Sequence, residues 1–269
     1  NRGYCSRYPK DDYRQGEGLM KAQYKDEVLS SWSHNLSDIV YGGYWSTAWY
    51  AELLYANLDR EAKTFEALGS MVYGGSSKDV GEDYRNRPFR VFNVYEELDE
   101  PGEWYIDRVA KKMYLYPSSD NPNPEIKMSR GNFIFVNASD ASYITFRGIE
   151  FTGGRKTGIL FDGGQHNTID SCDVNSFEEW GVKLTNGYHS GIKNSHVHQC
   201  GQGGIVVNGG DKYAFVMGEN YVTNNEINDF ALQKQSYSPG VDVNGIGNLV
   251  DHNEIYHCPH QAMSLHGTL

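Results

Sequence analysis

Two segments, Val222-Thr-Asn-Asn-Glu-Ile227 and Val250-Asp-His-Asn-Glu-Ile255, share one pattern in which two apolar residues enclose four polar ones. Residues 144–149, 169–174 and 192–197 follow a closely similar pattern. Along the five segments the first apolar position advances by 25, 23, 30 and 28 residues, and the second advances by the same steps. Coincidence would not keep both positions in register. We therefore interpret the chain from about residue 125 onward as a repeat.

A second short pattern follows each copy and begins at Gly158, Gly181, Gly204, Gly240 or Ala262. Apolar residues alternate with other types in it, as in strands with one buried face. Repeats of roughly 20–30 residues built from short strands are typical of solenoids, and the leucine-rich alternative lacks its Leu-x-x-Leu-x-Leu frame. The pattern predicts a parallel β-helix, in which equivalent strands of successive coils stack about 4.8 Å apart.

The alternation assigns each position of this second strand to a face. Two rows are predicted to point inward: Ile159, Val182, Ile205, Val241 and Met263, then Phe161, Leu184, Val207, Val243 and Leu265. Two rows are predicted to point outward: Leu160, Lys183, Val206, Asp242 and Ser264, then Asp162, Thr185, Asn208, Asn244 and His266.

The repeat also explains three of the four cysteines. One inner turn position is filled by small polar residues that can hydrogen-bond along the stack: Cys172, Ser195, Asn225 and Asn253. Cys200 and Cys258 share another position two coils apart, roughly 9–10 Å, which is too far for a disulfide. We expect buried free thiols there, and the pairing of Cys5 stays open.

Residues 1–124 do not repeat. Aromatic strand-like pieces at residues 40–45, 89–94, 104–107 and 113–116 predict a small β-rich domain. Residues 48–67 have some helical character, because Leu53, Leu54 and Leu58 are spaced for one helix face.

Charge and hydropathy exclude several classes of protein. The net charge is −11, from 24 Lys and Arg against 35 Asp and Glu, and the isoelectric point is about 5.2. Sequence-independent binding to nucleic acid or to an anionic membrane is therefore not expected. The longest apolar runs are strand-sized, so no membrane span is expected either.

Several segments resemble a known group of proteins. Glu96-Glu-Leu-Asp-Glu-Pro-Gly-Glu-Trp-Tyr-Ile-Asp107 and Met113-Tyr-Leu-Tyr-Pro117 resemble a segment of secreted right-handed parallel β-helix proteins from glycan-degrading organisms. That group includes glycoside hydrolases with α-L-fucosidase, xylanase and β-xylosidase activities. Further matching motifs occur in the same order: Arg7-Tyr-Pro9, Gly42-Gly-Tyr-Trp45, Tyr237-Ser-Pro-Gly-Val241, Gly245-Ile-Gly-Asn248, His252-Asn253, Pro259-His260 and His266-Gly267.

The resemblance adds handedness to the fold prediction. We expect an all-β protein with a right-handed parallel β-helix over residues 125–269 and a small β-rich N-terminal or inserted domain over residues 1–124. It also implies secretion to the extracellular space. Two N-glycosylation sequons, at Asn35 and Asn137, agree weakly with secretion.

The outward face of the second strand is the expected site, because glycoside hydrolysis needs carboxyl groups across a cleft. Asp242 is the first catalytic candidate, and His266 lies near enough in the rows to tune it. Two long loops flank this face and bring Tyr213 and Tyr237 as sugar-stacking residues. The remaining expected substrate-binding residues are Lys183, Asn208, Asn244, His257, His260 and Glu179.

No metal and no cofactor are expected. His252, His257, His260 and His266 are close in sequence, but no H-E-x-x-H helix or carboxylate–histidine framework accompanies them. The resemblance implies that the catalytic acids of the group lie on coils after the Pro259-His260 to His266-Gly267 segment. The sequence stops at Leu269, so we expect a truncated β-helix whose open end is covered by further chain or by a partner.

Three functions follow, in order of preference. The first is a secreted glycoside hydrolase acting on a neutral polysaccharide or oligosaccharide. The second is a non-catalytic glycan-binding or structural extracellular β-helix. The third is a polysaccharide lyase, which the acidic balance disfavours because polyuronate substrates require a cationic cleft or calcium.

Overall fold

A computed structural model describes residues 2–7, 21–25, 27–45, 50–69 and 87–266. The backbone divides into two compact units, Asn1–Ile126 and Lys127–Leu269. The side chain of Cys5 and residues Tyr8, Pro9, Gly267 and Leu269, to which sequence expectations apply, lie outside the described part.

The N-terminal unit is built on a closed antiparallel barrel with strand order β1-β2-β5-β4-β3-β6. The strands are β1 Arg2–Arg7, β2 Lys21–Tyr24, β3 Val40–Gly43, β4 Glu52–Asp59, β5 Thr64–Ala67 and β6 Arg87–Phe92. A hairpin of β7 Trp104–Asp107 and β8 Lys112–Leu115 follows. The helices described in this unit are α1 Val28–Ser31 and two 3₁₀ turns, Leu36–Asp38 and Tyr95–Glu97.

The expected helix over residues 48–67 is wrong. Most of that segment forms β4 and β5, paired antiparallel. Leu54, Ala56 and Leu58 face the barrel core while Leu53 and Tyr55 are exposed, which is the alternation of a strand. The leucine spacing fits the period of a helix and also that of a strand. The pairing of β4 with β3 and β5 shows that the segment is a strand.

The C-terminal unit is a parallel β-helix, which confirms the predicted all-β solenoid. Each coil contributes one strand to each of three sheets. Sheet I contains β10 Thr145–Arg147, β13 Thr168–Asp170, β16 Gly191–Lys193, β19 Tyr221–Thr223 and β22 Leu249–Asp251. Sheet II contains β11 Glu150–Gly154, β14 Asp173–Phe177, β17 His196–His198, β20 Glu226–Asn228 and β23 Glu254–Tyr256. Sheet III contains β9 Val136–Ser139, β12 Ile159–Asp162, β15 Val182–Thr185, β18 Ile205–Gly209, β21 Val241–Gly245 and β24 Met263–His266.

The ladder predicted for sheet III has the register that the sequence indicated. Ile159 pairs with Val182, Val182 with Ile205, and Ile205 with Val241, and all four side chains are fully buried. Met263 and Leu265 continue the inward rows but are 44% and 67% exposed, since β24 is the last described strand.

The register expected for the first coil of sheets I and II is wrong by two residues. Phe146, not Ile144, pairs with Ile169, and Phe151, not Ile149, pairs with Val174. A shift of two residues keeps every side chain on its original face, so alternation does not distinguish the two registers. The two phenylalanine rings pack edge to face at 5.5 Å inside the first coil, while Ile144 is exposed.

Two stacks of small polar residues run through the turns of the solenoid. In the predicted stack, the backbone N–H of one residue donates to the side-chain oxygen of the residue one coil later: Cys172 to Ser195, Ser195 to Asn225, and Asn225 to Asn253. A second stack, which the sequence analysis missed, follows the same rule: Asn167 to Ser190, Ser190 to Asn220, and Asn220 to Asn248. These bonds satisfy buried turn amides that have no strand partner.

Cys172, Cys200 and Cys258 are free thiols, as expected, but Cys258 is only partly buried rather than buried. Cys200 is fully buried, and burial raises the pKa of its thiol to about 12.

Within the described residues, no helix is long and apolar enough to span a membrane.

Replacing Asn225 with alanine should destabilise the solenoid. Its side chain accepts from Ser195 N and donates to Ile192 O and Asn253 Oδ1, so truncation leaves buried backbone groups unpaired. We expect a loss of about 2–3 kcal/mol in the free energy of unfolding, measured by urea denaturation. Asn244→Ala, at an exposed strand position, is the matched control and should stay within about 0.5 kcal/mol of wild type. Equal stability of the two variants would contradict the role of the stack.

Candidate functional site

The parallel register of sheet III aligns the candidate residues in two outward rows. Lys183, Val206, Asp242 and Ser264 are successive partners in one row. Thr185, Asn208, Asn244 and His266 form the next row in the same way. Residues far apart in sequence, such as Lys183 and Ser264, therefore share one rigid face.

Asp242 is the second residue of β21 and lies between the buried Val241 and Val243. Its side chain is 27% exposed, and its Oδ1 lies 3.1 Å from Nε2 of His266. The position of the ring does not give a hydrogen bond of good geometry, and Oδ1 is buried without another partner in the described part of the chain. Burial raises the pKa of the Asp242 carboxyl, and His266 opposes only part of that effect. A carboxyl with a raised pKa is suited to proton donation.

Ser264 is a second neighbour of His266 that sequence reasoning missed. Its Oγ lies 2.8 Å from His266 Nε2, the same nitrogen that approaches Asp242. In a serine nucleophile triad, the serine and the aspartate contact opposite nitrogens of the imidazole. The arrangement here therefore does not activate Ser264, and it fits acid–base chemistry at Asp242 better.

Lys183 and Glu179 lie toward the first coils of the same unit. Lys183 Nζ is 5.9 Å from the centroid of the Trp180 ring, and burial lowers the pKa of Lys183 despite the opposing charge of Glu179. Burial alone would raise the pKa of Glu179. Hydrogen bonds from Lys156 at 2.7 Å and Thr157 at 3.2 Å outweigh that effect and lower it. Glu179 therefore stays ionised and is unsuited to proton donation.

The two long loops border opposite ends of this face. Residues 210–218 follow β18, and residues 229–239 precede β21, so in a parallel sheet they lie at opposite strand ends. Tyr213, at the tip of the first loop, is 86% exposed. Its turn is held by Asp211, whose Oδ1 accepts from the Tyr213 and Ala214 backbone N–H groups. In the second loop Tyr237 is half exposed and lies 5.6 Å, ring to ring, from His260.

The four C-terminal histidines do not come together. His252 pairs with Asp251, His260 packs on Tyr237, and His266 approaches Asp242. His257 follows sheet II at a corner, 3.4 Å from Asp229. Its contacts therefore place it beside Asp229 rather than beside Asp242, although substrate binding with Asp242 was expected of it.

The two sequons differ in accessibility. Asn137 is exposed on β9, with Ser139 Oγ 3.3 Å from its Oδ1. The Asn35 amide instead donates to Oδ1 of the buried Asp107 at 2.7 Å. Modification at Asn35 would disturb that hydrogen bond, so the geometry favours Asn137 of the two.

Comparison with known proteins agrees with this architecture. Residues 113–238 match the family model of the right handed beta helix region. The right-handed β-helix is confirmed. No curated protein matches the chain. Among solved structures, a chain named "Glycoside hydrolase" aligns over 98% of this chain and 75% of its own length, with 11% identity and a TM-score of 0.44. The likeness is too distant to transfer an activity.

Burial should raise the pKa of the Asp242 carboxyl, and His266 should lower it. We expect its carboxyl pKa to lie above the ordinary aspartate value, and His266→Ala to raise it further, because a favourable charge is removed. Carboxyl carbon chemical shifts followed over pH by NMR provide the measurement. His257→Ala, which removes a ring beside Asp229, is the control and should leave the Asp242 titration unchanged.

The raised pKa of Asp242 also makes the stability of the folded protein depend on pH. A carboxyl whose pKa is raised by folding favours the folded state only while it is protonated, so its contribution is lost as pH rises through the raised value. Asp242→Asn should therefore gain stability relative to wild type at neutral pH, and the gain should vanish below the ordinary aspartate pKa. A constant difference across that range would show that Asp242 is not desolvated.

Proposed function

We propose that the outward face of sheet III is the active site of a glycoside hydrolase acting on a neutral glycan. The observation that supports it most is the Asp242–His266 pair, a partly buried carboxyl and an imidazole 3.1 Å apart on a rigid strand face. The resemblance of residues 96–107 and 113–117 to β-helical glycoside hydrolases supports the same class.

In this proposal Asp242 is the proton donor. It protonates the glycosidic oxygen as the bond to the anomeric carbon breaks. A water attacks that carbon from the opposite face and releases its proton to solvent, and His266, 3.1 Å from Asp242, returns a proton to the carboxylate afterwards. The residues on either side of Asp242 in its row are Val206 and Ser264. Neither is a carboxylate, and His266 lies too close to Asp242 to act across the scissile bond from it, since the second group of a glycosidase lies about 5–9.5 Å from the acid.

The surroundings of the pair favour an uncharged substrate. Lys183 is the only lysine or arginine in the two described rows, and the whole chain has a net charge of −11. A polyuronate would therefore meet little compensating charge. The exposed rings of Tyr213 and Tyr237 suit stacking on the apolar faces of sugar rings, and Asn208 and Asn244 can hydrogen-bond hydroxyl groups.

A non-catalytic glycan-binding role is the second candidate. The observation that favours it is the lack of a carboxylate at the row positions next to Asp242 in the described coils. The exposed tyrosines of the loops and the row containing Asn208 and Asn244 would then bind a glycan without cleaving it.

We also propose extracellular secretion, which the exposed sequon at Asn137 supports.

Hydrolysis by this site should depend on Asp242. We expect Asp242→Asn to reduce kcat on a neutral oligosaccharide at least ~100-fold, the usual scale of one acid–base group, measured by reducing-sugar release. Asp251→Asn, on sheet I and exposed, is the control and should keep wild-type activity. Binding without turnover in the wild-type protein would support the glycan-binding role instead. Unsaturated products that absorb in the ultraviolet would identify a lyase.

The aromatic loops should affect binding more than chemistry. Tyr213→Ala and Tyr237→Ala remove stacking surfaces at the two ends of the face, so we expect KM to rise several-fold with little change in kcat. Tyr143→Ala, an exposed ring that stacks on His166 beside sheet I, is the control. If kcat falls with KM unchanged, the two tyrosines act in the chemistry rather than in binding.

A further inference from the structure

A second polar cluster lies on the outer face of sheet II, away from the rows of sheet III. Asp173 on β14 pairs in register with His196 on β17, and Asn175 pairs with His198. The inward residues between them, Val174 and Val197, are fully buried. The two histidines are separated by one residue on a strand, so both project to the same side.

The distances within the cluster suit a shared ion. Asp173 Oδ1 lies 3.2 Å from His198 Nε2, and Asp173 Oδ2 lies 3.7 Å from His196 Nδ1. One ligand atom from each of the three residues lies within 4.8 Å of the others. With metal–nitrogen and metal–oxygen bonds of about 2.0–2.2 Å, neighbouring ligands of a tetrahedral ion are about 3.3 Å apart. Small side-chain movements therefore bring all three to bonding distance.

The carboxylate is already held in place, and the two imidazole rings lie next to each other. They stack on each other with centroids 4.0 Å apart and an interplanar angle of 17°. On the Asp173 side, the carboxylate accepts a hydrogen bond from the Asn175 amide, whose oxygen accepts from Thr152. Orientation of the carboxylate before the ion binds reduces the entropic cost of binding, and the two near-parallel rings must tilt apart to direct both nitrogens at one ion.

The far nitrogen of His196 lies next to the amide of Asn228. Asn228 Nδ2 lies 2.8 Å from His196 Nε2, and the same amide reaches Tyr256 Oη at 2.9 Å. Tyr256 also donates to Glu226, whose Oε1 is 4.0 Å from His196 Nε2. If Nδ1 binds an ion, Nε2 keeps its proton and needs an acceptor. The Asn228 amide supplies one by rotation through half a turn, because its oxygen and nitrogen exchange places.

We propose that Asp173, His196 and His198 bind a divalent transition-metal ion of the zinc type. Two imidazoles and one carboxylate are preferred by zinc, cobalt or nickel rather than by calcium or magnesium, whose ligands are oxygens. Three protein ligands leave a fourth position for water or a ligand. Asp173, His196 and His198 come from neighbouring coils, so the ion also links β14 to β17.

The experiment uses untagged protein, freed of metal by chelation and titrated with Zn²⁺ by calorimetry. We expect one Zn²⁺ per chain, and an at least ~10-fold higher Kd for His198→Ala and for Asp173→Asn. Co²⁺ as the probe should give the visible absorption bands of a four- or five-coordinate ion, and these should be lost in both variants. His257→Ala, at the corner beside Asp229, is the matched control and should bind like wild type.

Asp173→Asn is included because it keeps the shape of the side chain, so loss of binding in a folded variant is attributable to the ligand. Far-UV circular dichroism checks the fold of each variant. No saturable uptake by the wild-type chain, or equal uptake by wild type and both ligand variants, would overturn the proposal. Glycan turnover plays no part in the readout, so this result is independent of the function proposed for sheet III.

Discussion

The parallel pairing of each coil with the next is the constraint on which the rest of the C-terminal unit depends. A strand of sheet I, II or III has no hydrogen-bond partner within its own coil, so its amides are satisfied only by neighbouring coils. The turns between strands meet the same requirement through the two polar stacks, in which Asn220 and Asn225 bond to the coils before and after. Backbone hydrogen bonds therefore connect each described coil of the solenoid to the next.

This pairing also creates the surface chemistry. Because the register is fixed by the buried rows, an outward side chain is placed relative to residues many positions away in sequence. Asp242 meets His266 across one coil boundary, and Asp173 meets His196 and His198 across another. Neither pair requires a loop to fold into place, so both clusters are set on a rigid base of buried valines.

Coil lengths differ without disturbing this arrangement. The longer repeats place their extra residues in the loops 210–218 and 229–239, while β18 and β21 remain paired over their whole length. The scaffold thereby separates two tasks. The strands hold the acid–base pair, and the loops present Tyr213 and Tyr237 as variable contact surfaces.

The sequence was sufficient for features that depend on alternation, and insufficient where two arrangements satisfy the same alternation. The inward rows of sheet III and the stack through Asn225 followed directly from spacing. In the first coil, isoleucine and phenylalanine two residues apart offered two registers, and the side-chain volumes inside the coil selected Phe146 and Phe151. The leucines of β4 fitted a helix equally well until their partner strands were known.

The two polar clusters could also be predicted from the sequence only in part. Row order placed Asp242 near His266, but the approach of Ser264 to the same nitrogen depends on side-chain rotamers. The pattern His196-x-His198 was available in the sequence as a signal, since alternate strand residues face one way. Its partner Asp173 lies in the preceding coil, so the residues of one coil do not show the complete cluster.

The continuous polar stacks have a kinetic consequence. A solenoid held together by contacts between neighbours opens from its ends inward, because a terminal coil breaks one interface while a central coil must break two. Turn amides bonded to a side chain in the next coil exchange with solvent only after that coil has separated. Hydrogen exchange should therefore form a gradient along the coils. The amide of Ser195, beneath Asn225 in the middle of the stack, should exchange slowly.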